Sequence, residues 1–350
     1  MAKSNKLEFP PYKAPKLLCG GHRMTIAAAL LGDLRIDKPP KESERYFEVD
    51  TNTTVLAYCA WQERPGQSPT CVLLHGLTGD ADDSYVRGTA AKLFKLGFNT
   101  LRLNARNCAN TLNRTPTIYH MGLTRDMREV LRILAEQDGL QRIYFGGFSM
   151  GANVSLKLAG EYGYDAPSYV KGVVAVSPPL RIAESSAALR DGPFNRAIYE
   201  RKFLRDLKEL IRTKAELFPE NYDASGLPSV RTLRDFDRAY VAPSFGFSDE
   251  DDYYKRASCG LWVDHIHLPA LVITAADDPL IPSSAIEEWK SRAGPQIKFL
   301  ITRHGGHVGY LSSEPAANEY YQDTDRYWAE NRICQFLLWR ESQGDSPSSK

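Results

Sequence analysis

The chain has 350 residues, 43% of them hydrophobic, enough to bury the core of one large domain. Its 44 Lys and Arg against 43 Asp and Glu leave a net charge of +1, so no global field gathers nucleic acid and a nucleic-acid binder is excluded as the default reading. Six scattered cysteines make neither a disulfide framework nor a metal knuckle, no apolar run approaches the roughly 20 residues that cross a bilayer, and no signal peptide is readable; a reducing cytoplasm is the expected compartment.

Strands are predicted at 46–49, 54–60, 71–74, 99–103, 143–145, 172–176, 270–274 and 297–301. The first two alternate polar with apolar residues and lie close together, as an antiparallel hairpin does. The later ones are short apolar runs suited to burial on both faces of a parallel sheet. Helical patterns fill the gaps at 89–96, 123–137, 150–162 and 286–292, which gives α/β architecture in a single domain spanning 1–350. From 180 to 262 the alternation stops, and this stretch reads as a helical lid insertion whose best helix, amphipathic and locally basic, covers 194–217. The tail 345–350 has the composition of a disordered segment.

The chemistry centres on Gly147-Phe148-Ser149-Met150-Gly151, where a strand ends and a helix begins. This is the pattern of a nucleophile elbow: a serine on so sharp a turn needs glycine two residues before and after it, because side chains there collide. The pentapeptide alone is weak, so its context has to decide. An acyl transfer places negative charge on a carbonyl oxygen, and two backbone N–H groups are needed to stabilise it. His75-Gly76-Leu77-Thr78-Gly79 follows a buried strand and offers the Leu77 N–H; the Met150 N–H at the helix start is the second candidate. An acid is expected after a later strand, where Asp277 and Asp278 compete, and Asp278, directly before Pro279, is preferred. A histidine is expected beyond it, where His307 behind two glycines is preferred to His304. Ser149, Asp278 and His307 then follow the chain order Ser…Asp…His of α/β-hydrolases. Zinc ligation by His304 with His307, or His265 with His267, lacks a local carboxylate or cysteine to complete the set, so no metal and no cofactor are expected. Cys108, in a loop after a strand, is the cysteine that could line the site.

With these residues assembled, the chain resembles the YheT-like α/β-hydrolases, a group of esterases and lipases related to eukaryotic α/β-hydrolase domain-containing lipases. The resemblance is carried by Gly20-Gly21-His22, the His75–Gly79 segment, Asn104-Ala105-Arg106-Asn107-Cys108, Tyr119-His120-Met121-Gly122 with Asp126, the elbow, Asp235-Phe236-Asp237, Phe245-Gly246-Phe247, Asp252-Tyr253-Tyr254, Asp277-Asp278-Pro279 and Gly305-Gly306-His307-Val308-Gly309. It implies an α/β-hydrolase fold with a mostly parallel eight-stranded sheet, and it places the catalytic serine, acid and histidine at Ser149, Asp278 and His307. Where the family has Arg-Gly-Cys, this chain has Arg106-Asn107-Cys108. The expected activity is hydrolysis of a small-molecule ester or lipid through an acyl-enzyme, rising with pH as the imidazole base loses its proton. An acyltransferase using the same triad is the alternative, and a non-catalytic scaffold the more distant one. Oligomeric state is not legible.

Overall fold

Side chains alternate across each buried strand, and the sequence uses both faces. The computed structural model describes residues 7–33, 40–318 and 321–343; the 345–350 tail lies outside the described residues. The strands are β1 (Ser43–Asp50), β2 (Thr53–Ala60), β3 (Thr70–Leu74), β4 (Asn99–Leu103), β5 (Ile143–Phe148), β6 (Val170–Val176), β7 (Ala270–Ala275) and β8 (Ile297–Thr302). They form one sheet in the order β1-β2-β4-β3-β5-β6-β7-β8, with β1, β2 and β4 antiparallel in succession and β4 through β8 parallel. Two register positions fix its centre: Leu74 lies opposite Leu103 on one side and Gly147 on the other. The ends of β3 and β5 are therefore neighbours.

The helices are α1 (Gly21–Asp33), α2 (Ser84–Lys95), α3 (Arg125–Glu136), α4 (Met150–Tyr162), α5 (Ile182–Asp191), α6 (Arg201–Leu217), α7 (Glu250–Ala257), α8 (Ser284–Arg292) and α9 (Trp328–Gln343). Val72 and Phe145 face one layer, with Leu131 of α3, Leu156 of α4 and Trp289 of α8. Cys71 and Leu73 face the opposite layer, with Leu93 of α2 and Phe336 of α9. This period-two split is what two-sided burial of a parallel sheet requires. No helix among the described residues is long and apolar enough to cross a membrane.

The predicted strands all form; 99–103 keeps its bounds and each of the others is extended by one to three residues at an end. Helix α2 starts at Ser84 rather than 89, since the polar stretch from Asp80 turns directly into it, and α3 and α8 shift by about two residues. Outside the 180–262 segment, two helices escape the sequence reading. In α1 the run of alanines and leucines lacks a polar face; in α9 Glu330, Arg332 and Gln335 are buried alongside Phe336 and Leu337, so no apolar stripe stands out. Arg332 pairs with Asp323, and Glu330 with Lys92, which is how α9 tolerates charges at buried positions.

Between β6 and β7 the 180–262 segment holds α5, α6 and α7. The predicted helix over 194–217 runs from Pro193 to Leu217, with a π-helical turn at Arg196–Glu200. The apolar side chains of the 180–262 segment, among them Leu207, Ile211 and Phe236, form a third cluster with Tyr119, Met150, Leu280 and Ile281 of the sheet-bearing part. Among the described residues no carboxylate pairs with Lys214 of α6; its Nζ donates to the carbonyls of Leu112 (2.7 Å) and Thr115, tying the segment down.

Candidate active site

Where β5 meets α4, Ser149 adopts φ 53° and ψ −114°, a backbone conformation rare for a residue with a side chain. The turn holds because its neighbours are glycines. A Cβ on Gly147 would sit 2.5 Å from the Leu74 carbonyl oxygen, and one on Gly151 would sit 2.3 Å from the same oxygen. The Ser149 N–H donates to the Val176 carbonyl (2.9 Å) and the Gly151 N–H to the His75 carbonyl (3.1 Å), so β6 and the end of β3 both clamp the elbow.

The structure brings the three residues singled out by chain order together. Ser149 Oγ lies 2.8 Å from His307 Nε2, and His307 Nδ1 lies 2.9 Å from Asp278 Oδ2. The Asp278 side chain is fully shielded from solvent, and its Oδ1 accepts the N–H groups of Leu280 (2.9 Å) and Ile281 (3.1 Å). Those bonds fix the carboxylate orientation. Asp277 points elsewhere: its Oδ2 lies 3.0 Å from His304 Nδ1, and its Oδ1 accepts the Gly306 N–H (3.0 Å).

Several residues hold this loop that spacing could not reveal. The His307 N–H donates to Thr25 Oγ1 of α1 (2.8 Å) and the Val308 N–H to Ser177 Oγ at the end of β6 (3.2 Å). Gly21 approaches so closely that a Cβ there would lie 1.7 Å from the Asp277 carbonyl oxygen. The only sequence signal was the Gly20-Gly21-His22 segment.

Leu77 and Met150 flank the serine, and their amides are placed differently from their neighbours. Tyr85 Oη accepts the Gly76 N–H and Tyr119 Oη the Thr78 N–H, both at 3.2 Å, while none of the described hydrogen bonds takes the Leu77 N–H. The Met150 N–H belongs to the first turn of α4, where helical geometry leaves donors without internal partners. His75 anchors this loop as a neutral ring. Its Nδ1 donates to the Gly76 carbonyl (2.7 Å), its Nε2 accepts the Ala105 N–H (3.0 Å), and burial lowers its pKa to about 4.

Two cavities share Ser149 and His307. A narrow one of about 70 Å³ extends beneath the 180–262 segment, walled mainly by apolar residues such as Leu189, Leu207, Phe236 and Val241. A wider one of about 480 Å³ runs past Gly76 and Leu77 towards α1, and includes Thr25, Asp83, Tyr85 and Lys202. Cys108 lines neither; it is buried in the cluster below the 180–262 segment, where burial pushes its thiol pKa up. His267 stacks on Tyr164, and no group of three or more metal-ligating side chains occurs among the described residues.

A family model described as the α/β hydrolase fold matches residues 69–314. The chain is 32% identical to the protein YheT of Escherichia coli over 283 residues, covering 79% of this chain and 80% of that one. It is 29% identical to a monoacylglycerol lipase of Saccharomyces cerevisiae, covering 77% of this chain and 59% of the yeast protein. The structure of the esterase Pf2001 of Pyrococcus furiosus superposes with a TM-score of 0.56 at 16% identity, covering 94% of this chain and 98% of that one, which speaks to the fold. The eight-stranded sheet, the elbow between β5 and α4 and these matches agree: the chain belongs to the α/β-hydrolase family.

Proposed function

We propose that this protein hydrolyses carboxylic esters with Ser149 as nucleophile, His307 as general base and acid, and Asp278 as the residue that orients and balances the imidazole. Ester hydrolysis in general is supported by the family and by the lipase and esterase among its relatives. The observation that carries the finer reading is the continuous path from Ser149 Oγ through His307 to a solvent-shielded Asp278.

The chemistry runs in two halves. His307 Nε2 takes the Ser149 proton as Oγ attacks the ester carbonyl, and the developing oxyanion is received by the N–H groups of Leu77 and Met150. Collapse expels the alcohol, which takes the proton from His307, and leaves an acyl-enzyme. A water deprotonated by the same imidazole then releases the acid and restores Ser149. The apolar cavity beneath the 180–262 insertion, which we read as a lid, takes the acyl group, and the wider, more polar cavity takes the alcohol.

A fluorophosphonate probe and a chain-length series of nitrophenyl esters test this. The wild-type protein is expected to be labelled at Ser149 and to turn over the esters, and Ser149→Ala to lose both, with a rate fall of at least about a thousandfold. A Ser149→Ala protein that kept its esterase rate would refute the nucleophile assignment.

A further inference from the structure

The cavity beneath the insertion is walled by hydrocarbon over most of its surface, yet Ser185, Ser186 and Asp237 line it as well. Two of these polar groups, Ser186 and Asp237, are joined through one phenol. Tyr254 Oη donates a 2.7 Å hydrogen bond to Asp237 Oδ2 and lies 3.2 Å from Ser186 Oγ. Ser185 is 7% exposed, and its Oγ is buried with no partner among the described residues. Hydroxyls on other helices of this chain turn back onto the preceding turn: Thr89 Oγ1 donates to the Tyr85 carbonyl and Ser155 Oγ to the Gly151 carbonyl, both at 2.7 Å. Ser185 makes no such bond, so its hydroxyl is left for something else.

Asp237 is unusual in the same way. Asp126 faces Arg106, Glu330 faces Lys92 and Asp323 faces Arg332, whereas the side chain bonded to Asp237 is a phenol. Arg234, on the same short helical stretch, is engaged by Glu250 and Asp251. Burial pushes the Asp237 carboxyl up to about 7, so near neutral pH it is present in both protonation states and can accept or donate a hydrogen bond. A purely hydrocarbon tail in this cavity offers neither the Ser185 hydroxyl nor the carboxyl a partner. An ammonium group meets one half-protonated carboxyl. A hydroxyl meets a donor and an acceptor together.

Resting on the esterase reading, we propose that Ser185, Ser186 and Asp237 form a polar subsite within the acyl cavity that selects esters whose acyl chain carries a hydroxyl group. Calorimetric titration of the Ser149→Ala protein with ethyl octanoate, and with ethyl octanoates hydroxylated at each chain carbon in turn, reads the subsite without turnover. At least one hydroxylated ester is expected to bind about tenfold more tightly than the unsubstituted one. Adding Ser185→Ala, or separately Asp237→Leu, is expected to bring that ratio towards one. The proposal is overturned if no hydroxyl position improves binding, if the preference survives both substitutions, or if an aminooctanoate binds more tightly than every hydroxylated ester. Wild-type turnover of the same esters separates the two readings: hydrolysis without preference sinks the subsite alone, and preferential binding without hydrolysis sinks the esterase alone.

Discussion

A serine held at positive φ, an imidazole and a shielded carboxylate are the residues on which the proposed chemistry depends, but a second histidine shows how the site is kept rigid. His75 never needs to charge: one ring nitrogen donates to the Gly76 carbonyl and the other accepts the Ala105 N–H. Its pKa, lowered by burial to about 4, makes a stability prediction whose sign is fixed by linkage. Above about pH 6.5 the ring is neutral folded or unfolded; between there and about 4 the unfolded chain binds a proton that the folded one refuses, so the contribution falls with pH. Asp237 and Asp83, raised by burial to about 7 and about 6, act in the opposite direction, gaining stability as pH drops. The wild type must therefore be compared with His75→Gln. Urea unfolding at a series of pH values is expected to show the stability difference between the two proteins shrinking by up to about 1.4 kcal/mol per pH unit, about 3 kcal/mol across the window. A difference that stays constant from pH 7 to 4 would remove the neutral-anchor role. At the same residue scale, Asn107 sits at φ 69°; asparagine is among the residues that tolerate this conformation, and its Nδ2 donates to the Thr117 carbonyl (2.9 Å).

At the scale of elements, the histidine loop is not held by its own strand. It is pinned by α1 through Thr25, by the end of β7 through Asp277 and by the end of β6 through Ser177. Helix α1 reaches this position only because Gly21 lets its first turn touch the Asp277 carbonyl. Gly21→Ala must push α1 or the acid turn aside, so kcat/KM for a nitrophenyl ester is expected to fall about ten- to a hundredfold, with about 1–3 kcal/mol lost from stability. Kinetics and denaturant midpoints on the same preparation check both; an unchanged kcat/KM would show that the helix is not coupled to the histidine. Here the sequence was only partly legible. Its chain order pointed to the acid and base pair that the structure brings together, but Asp277 with His304 satisfied the same order. Only the folded turn directs Asp278 to His307 and leaves Asp277 to grip the Gly306 amide.

Over the whole molecule, the loop after β4 and helix α3 are joined by a buried ion pair in which Arg106 Nε and Nη2 meet both oxygens of Asp126, at 2.7 and 2.6 Å. Arg106 also donates to Thr117 Oγ1 (2.6 Å), so one side chain ties together three segments. Removing one partner leaves the other charge buried. Arg106→Ala is expected to lose about 3–5 kcal/mol in urea unfolding, and the double substitution Arg106→Met with Asp126→Leu to recover most of it, since the penalty lies in the stranded carboxylate. Failure of the double substitution to recover stability would show that the fork geometry itself matters.

The sequence by itself determined the strands, the elbow and the order of the candidate catalytic residues. Two-sided burial writes itself as short apolar runs, and a strained turn demands glycines at fixed offsets from Ser149. Tertiary structure alone decided which carboxylate meets which imidazole, why α1 and α9 are helices, and how Ser185, Ser186 and Asp237 come to share one cavity wall. Those outcomes depend on contacts between segments far apart in the chain, and local periodicity carries no record of which distant surface a residue will face.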